Sequence, residues 1–387
     1  ACQSTVAADD KQPLTLDAIF SGSDFTNRQL ISPHWRPDGT GFTYLEPNDE
    51  TGTPDAWLQR SKYGEAQLLF RGDALRIDGE VIEISDATWG PDLETALLRG
   101  PVETTWHGHP KARHYIFQRD TGKLWPLTRD DAVHLARLSP DGRHAGYVHD
   151  NNLYIVNLES RRTRQVTHDG TDSIFNGIFD YGSTMFGDKN AWAWSPDGKR
   201  IAFWQLDARY VKKFPMIDRL GDYNEVREFH YPNAGEAHAV YRIGAYDLGD
   251  DAITWLDTDH DPDDYLPKLT WAPNSKSLYV QQLTRKHQTL NVLRVPVSGK
   301  PSTVVLTETD PAWIDITDDL TPLASRHGHF IWTSERSGFR HIYLYQQDGS
   351  HKALTKGDWS VDAVIGVDEA NERVYFYGKK DSLIDQH

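Results

Sequence analysis

One turn recurs along the chain and narrows what it can fold into. It reads His34-Trp35-Arg36-Pro37-Asp38-Gly39, Thr88-Trp89-Gly90-Pro91-Asp92 and Leu138-Ser139-Pro140-Asp141-Gly142, then Ala193-Trp194-Ser195-Pro196-Asp197-Gly198 and Thr270-Trp271-Ala272-Pro273-Asn274. Proline presets φ at the first central position, and Asp or Asn followed by Gly accepts the positive φ needed next. Short strands are expected after each turn, at 42–45, 95–99, 145–149, 201–206 and 277–281. The turn aspartates and Asn274 are 54, 49, 56 and 77 residues apart. A four-stranded propeller blade takes roughly 40 to 50 residues, and longer spacings mark insertions. A β-sandwich also uses such turns but has no fixed long period.

A second signature closes the unit. Leu153-Tyr154-Ile155-Val156-Asn157-Leu158 alternates as an amphipathic strand and is followed by Gln165-Val166-Thr167-His168-Asp169-Gly170. The same pairing returns as 115–118 with Leu127-Thr128-Arg129-Asp130-Asp131, and as 342–345 with Leu354-Thr355-Lys356-Gly357-Asp358. The expected fold is all-β, a β-propeller of four-stranded antiparallel blades, and 387 residues hold seven or eight of them.

Composition agrees. Thirteen Trp and seventeen Tyr stand against two Met, the balance of a strand-rich chain whose aromatic side chains pack on pleated surfaces. A mean hydropathy of −0.63 and no apolar run near 20 residues exclude a spanning helix. The net charge of −16 argues against a nucleic-acid partner, whose phosphates it would repel. The lone cysteine, Cys2, has no internal disulfide partner. Ala1-Cys2-Gln3-Ser4-Thr5 resembles the junction at which a bacterial lipoprotein leader is cut before a lipidated cysteine; a free thiol in a disordered tail is the equal alternative.

The motifs of hydrolytic and nucleotide chemistry are missing from the sequence. There is no G-x-S-x-G, as neither Gly22-Ser23 nor Gly182-Ser183 has the second glycine, and no H-E-x-x-H, P-loop or G-x-G-x-x-G. His107 and His109 flank Gly108 as a His-x-His, which in a chain of seventeen His is more often incidental than a metal site. No catalytic residue, metal or cofactor is expected, and the residues alone describe a scaffold: a binding propeller or, behind it, a hydrolase working through channel carboxylates.

Longer stretches are more specific. Asn176-Gly177-Ile178-Phe179-Asp180-Tyr181 precedes the turn at 193–198, and His230-Tyr231-Pro232-Asn233-Ala234-Gly235-Glu236 comes after it. Trp313-Ile314-Asp315 and Ser334-Glu335-Arg336-Ser337-Gly338-Phe339-Arg340-His341 complete the set. Together, over residues 14–387, these resemble the N-terminal β-propeller of the dipeptidyl peptidase IV family, serine peptidases of the prolyl oligopeptidase clan. The resemblance implies eight blades, seven being the alternative, over 31–387, behind a tail (1–13) and a lead-in segment (14–30). It implies a periplasmic or secreted exopeptidase, possible homodimerisation, a possible lipid anchor at Cys2, and a C-terminal α/β-hydrolase domain carrying the Ser-Asp-His triad that this chain lacks. The propeller would gate short, proline-containing peptides. The alternative is a stand-alone or catalytically silent propeller that binds a peptide or protein partner.

One departure bears on specificity. Family members that release dipeptides carry an adjacent Glu pair after the Asn-Gly motif, which binds the substrate's N-terminal ammonium. Here the run is Asp180-Tyr181-Gly182-Ser183-Thr184-Met185-Phe186-Gly187, and the pair's places fall near Thr184 and Met185. The substrate-binding candidates are therefore Asp180, Tyr181, Thr184 and Met185, with Asp188 the next carboxylate. Asp180 also suits a turn residue capping its own backbone, and Met185 and Phe186 suit packing between blades.

Overall fold

The computed structural model describes residues 15, 16, 20, 30–60, 64–103, 109–129, 131–180, 183–187 and 190–380. Contacts divide the chain into two compact units, 1–87 and 88–387. The first contains an antiparallel meander, Ile31–Trp35, Phe42–Asn48, Thr53–Gln59 and Gln67–Phe70, paired in chain order. Buried Asp55 accepts the Gly72 N–H at 2.8 Å and the Asn48 side-chain amide at 2.9 Å, which ties the end of the meander to its middle.

The second unit repeats the same device. Its first meander is Asp86–Trp89, whose strand begins at the boundary, with Thr95–Glu103, Lys111–Gln118 and Lys123–Pro126; then come Val133–Leu138, His144–His149, Asn152–Asn157 and Thr163–Gln165, joined to the first where Val133 and His134 pair with Ala112 and Lys111. A third combines Ile174–Asn176 and Trp192–Trp194 with Arg200–Asp207, Val240–Asp247 and Ala252–Trp255. Next come Tyr265–Trp271, Ser277–Leu283, Thr289–Pro296 and Thr303–Thr309; then Thr321–Pro322, Phe330–Ser334, His341–Tyr345 and His351–Ala353; and last the hairpin Val361–Asp368/Arg373–Gly378. Four-stranded antiparallel meanders in series are the blades of a β-propeller. The long spacing before Asn274 is an insertion, as expected: a separate hairpin, Lys213–Asp218/Glu225–His230, sits between two strands of one blade.

The five turns share one geometry. In each, the residue after the Asp or Asn closes a turn on the residue before the Pro, from Gly39 N–H to Arg36 O (3.0 Å) through Ser275 N–H to Ala272 O (2.9 Å). The Asp or Asn side chain accepts the N–H two residues on, as in Arg143 to Asp141 (3.0 Å) and Lys276 to Asn274 (3.0 Å). Positive φ falls at Gly39, Gly142 and Gly198, and equally at Leu93 (+61°) and Ser275 (+58°). The side-chain acceptor thus imposes the left-handed residue even where glycine is missing. Ser275 makes use of the position, since its hydroxyl accepts the Asp197 N–H at 3.1 Å.

Both faces of a blade are buried, so its central strands read as continuous apolar runs. Along Arg200–Asp207, Ile201 and Phe203 pack with Val148, Leu153 and Ile155 of the preceding blade. Ala202 and Trp204 point the other way, into Leu266, Leu278 and Val280 of the next. The period of two in a strand makes this division automatic. Room between blades is scarce: a Cβ on Gly146 would come within 2.6 Å of the Trp192 ring.

The tryptophan of the turn has its own task. Trp271 Nε1 donates to Ala193 O at 3.2 Å, and Trp194 Nε1 to Arg137 O at 3.4 Å. Ala193 and Arg137 each occupy the position before the corresponding residue of the preceding blade, so the indole links equivalent places in successive blades.

Candidate functional site

The blade at 174–255 carries a break in its first strand. Ile174–Asn176 pairs with the far half of Arg200–Asp207, ending at Asn176 opposite Gln205. Trp192–Trp194 pairs with the near half, beginning at Trp192 opposite Phe203. Only Trp204 lies between. Its C=O accepts the Gly177 N–H and its N–H donates to Ala191 O, both at 2.9 Å, so residues 178–190 leave and rejoin the sheet across one residue. Gly177 turns the chain out at φ +70°, where a side chain would be strained. The Trp204 indole, itself buried, donates to Leu266 O at 2.9 Å and fixes the base of the loop to the next blade.

Polar groups secure the departure point. The Asn176 side-chain amide donates to Asp169 Oδ1 at 3.0 Å, and Gln205 Nε2 donates to Asn176 Oδ1 at 2.7 Å and Asp169 Oδ2 at 2.9 Å. Arg242 Nε closes the chain on Gln205 Oε1 at 2.7 Å, with its guanidinium 3.6 Å above the Trp255 ring. Asn176 and Gln205 are buried, and a buried amide is costly unless its hydrogen bonds are made. Here they are made to one another.

Beyond this base, Ile178 and Phe179 enter the cores on either side of the blade, and His109 Nε2 donates to Phe179 O at 2.5 Å. The loop returns through a 3-10 turn, Ser183–Phe186. Phe186 packs edge-on to Tyr265 at 5.1 Å and stacks on His287 at 6.1 Å, and His287 lies 3.8 Å from the Trp313 ring. Burial in this aromatic group pushes the His287 pKa down, so the ring there is neutral at pH 7.

Asp180 is 3 % exposed and Met185 60 % exposed, so the carboxylate lies in the interior while the thioether faces outward from the same loop. Asp180 has interactions of its own. Tyr181 and Asp188 lie outside the described residues, as do Cys2, His107 and the side chain of Thr184. Phe186 packs between blades. The Asn176–Asp169–Gln205–Arg242 chain was not anticipated from the sequence; the signal was an amide, Gln205, inside the apolar run Ile201-Ala202-Phe203-Trp204-Gln205-Leu206.

The segment 334–341 is a structural clamp. Arg340 Nη2 donates to buried Asp319 at 2.7 Å, and Asp319 also accepts from Thr333 (2.7 Å) and from the Val364 N–H (2.9 Å). His341 holds Gly357 O at 2.9 Å. The Thr of the closing signature works likewise: Thr167 and Thr355 hydroxyls accept the Leu153 and Ile342 N–H groups at 3.0 and 2.9 Å.

Residues 90–387 match the family described as the dipeptidyl peptidase IV (DPP IV) N-terminal region. The chain is 27 % identical over 419 residues to a probable dipeptidyl-aminopeptidase B of Talaromyces marneffei, covering 97 % of this chain and 46 % of that protein. It is 29 % identical over 411 residues to its counterpart in Emericella nidulans, covering 97 % and 45 %. Among solved structures, dipeptidyl peptidase 4 of Porphyromonas gingivalis superposes with a TM-score of 0.86 at 26 % identity, over 97 % of this chain and 54 % of that one. A putative dipeptidyl aminopeptidase IV from Bacteroides ovatus, at 20 % identity and a TM-score of 0.71 over 90 % and 50 %, shares the fold. The chain spans about half the length of the curated relatives it matches. With the repeated blades, the interrupted strand after Asn176-Gly177 and the clamp at 334–341, these matches make the chain a member of the dipeptidyl peptidase IV N-terminal region family.

Proposed function

We propose that this chain is the substrate-admitting part of a dipeptidyl peptidase IV-like serine exopeptidase of the periplasm or cell exterior. It acts on short peptides, proline-containing ones among them, and an α/β-hydrolase half of a longer protein cleaves the bond. The observation that carries the reading is the loop 178–190, held at its base across Trp204 and presenting a short 3-10 turn. By the family resemblance, that turn stands where a carboxylate pair takes the substrate's ammonium. An ammonium leaving water needs an anion beside it, whereas the exposed Met185 offers polarisable apolar contact. The loop therefore selects by shape and apolar contact, and peptides with a blocked N-terminus are admitted alongside free ones. The test is hydrolysis of Gly-Pro-p-nitroanilide by the full gene product and by the 387-residue chain. Turnover by the longer protein alone is expected. Turnover by the chain itself would overturn the reading, and so would none by the full product, which would leave a propeller that only binds.

A further inference from the structure

A groove of about 680 Å³ opens between the blades at 86–126 and 133–165, and no residue of the loop described above lines it among the described residues. Its size lies within the roughly 300–1,000 Å³ of sites that hold small ligands or a few peptide side chains. Trp125, Tyr147 and Tyr154 form its walls, the two tyrosine rings stacked 5.3 Å apart and 6° from parallel. Burial pushes the Tyr147 pKa up to about 12, so this wall stays neutral. Arg161, held at φ +56°, lays its guanidinium over the Trp125 ring at 4.2 Å. Arg129 stands at the rim. Among the described residues neither arginine has a carboxylate partner, and in a chain of net charge −16 the groove's described lining holds two arginines against one carboxylate. The anion in the lining, Asp131, faces His149 at 3.8 Å.

Two strands at the groove's border are outermost in their blades. Among the described residues Lys123–Pro126 pairs only with Lys111–Gln118, and Thr163–Gln165 only with Asn152–Asn157. A strand paired on one side offers backbone N–H and C=O groups to an incoming extended chain. We propose that this groove binds an extended acidic peptide segment bearing an aromatic side chain: the ring enters between Trp125 and the stacked tyrosines, carboxylates meet Arg129 and Arg161, and the backbone runs along a free strand edge. The proposal is independent of any peptidase activity.

The probe is Ac-Asp-Glu-Tyr-Glu-Asp-NH2, titrated by calorimetry into the 387-residue chain. Saturable binding is expected, weakened roughly tenfold by Arg161→Gln or Trp125→Ala, weakened by salt, and unchanged in the Lys300→Gln control. Circular dichroism checks the fold of each variant, and Arg161→Gln, in an exposed turn, serves if Trp125→Ala does not fold. Absence of saturation, equal binding of a lysine-for-acid peptide, or indifference to Arg161→Gln would overturn the proposal. Binding of N-acetyl-tyrosine as tight as that of the peptide would also overturn it, leaving a site for a small aromatic anion.

Discussion

Gly146 and Trp192 show how closely successive blades are matched. With the ring 2.6 Å from where a Cβ would sit, Gly146→Ala forces the indole or the strand to move. Overpacking of this kind costs about 1–3 kcal/mol, to be read as a lower midpoint in urea unfolding at unchanged slope. A second effect belongs to single residues. Burial lowers the pKa of His134, His144, His260 and His287. Below about pH 6.5 the unfolded chain takes up protons that these folded rings resist, so stability should fall as the pH drops from 7 toward 5. Unfolding midpoints measured across that range check it, and a flat profile would contradict it. At this scale the turns were readable because Pro, Asp and Gly act locally. The left-handed Leu93 and Ser275 were not, because their conformation is set by the Asp92 and Asn274 side chains and the hairpin they close.

Among the elements, the interrupted strand is the most informative. Asn176-Gly177 and the turn at 193–198 stood out in the sequence as motifs, yet neither the two strand halves they adjoin nor the closure of the loop across Trp204 was legible, since both depend on register with a strand beyond the loop. The amide chain at its base should matter more to the loop than to the blade. Gln205→Leu removes donors from Asn176 and Asp169, at a cost of about 1–3 kcal/mol. Amide exchange should quicken at Gly177 and Trp204 while the amides of Ser277–Leu283 keep their protection. Equal quickening in both would mean that the network supports the whole unit rather than the loop.

For the molecule as a whole, the blade period and the family were legible in the sequence, because each blade repeats one local device and the distinctive segments, 176–181 and 334–341, are contiguous. The candidate site was less so. Asp180 reads in sequence as a substrate-binding candidate or a turn residue capping its own backbone, and its burial in the structure depends on packing that the sequence does not display. Selection at the loop is the central claim, and it bears on one ratio: kcat/KM of the full gene product for Gly-Pro-p-nitroanilide over that for its N-acetyl form. The ratio should lie near one and rise at least roughly tenfold in Met185→Glu, which restores an anion for the ammonium. A large ratio in the natural protein, left unchanged by Met185→Glu, would contradict the account.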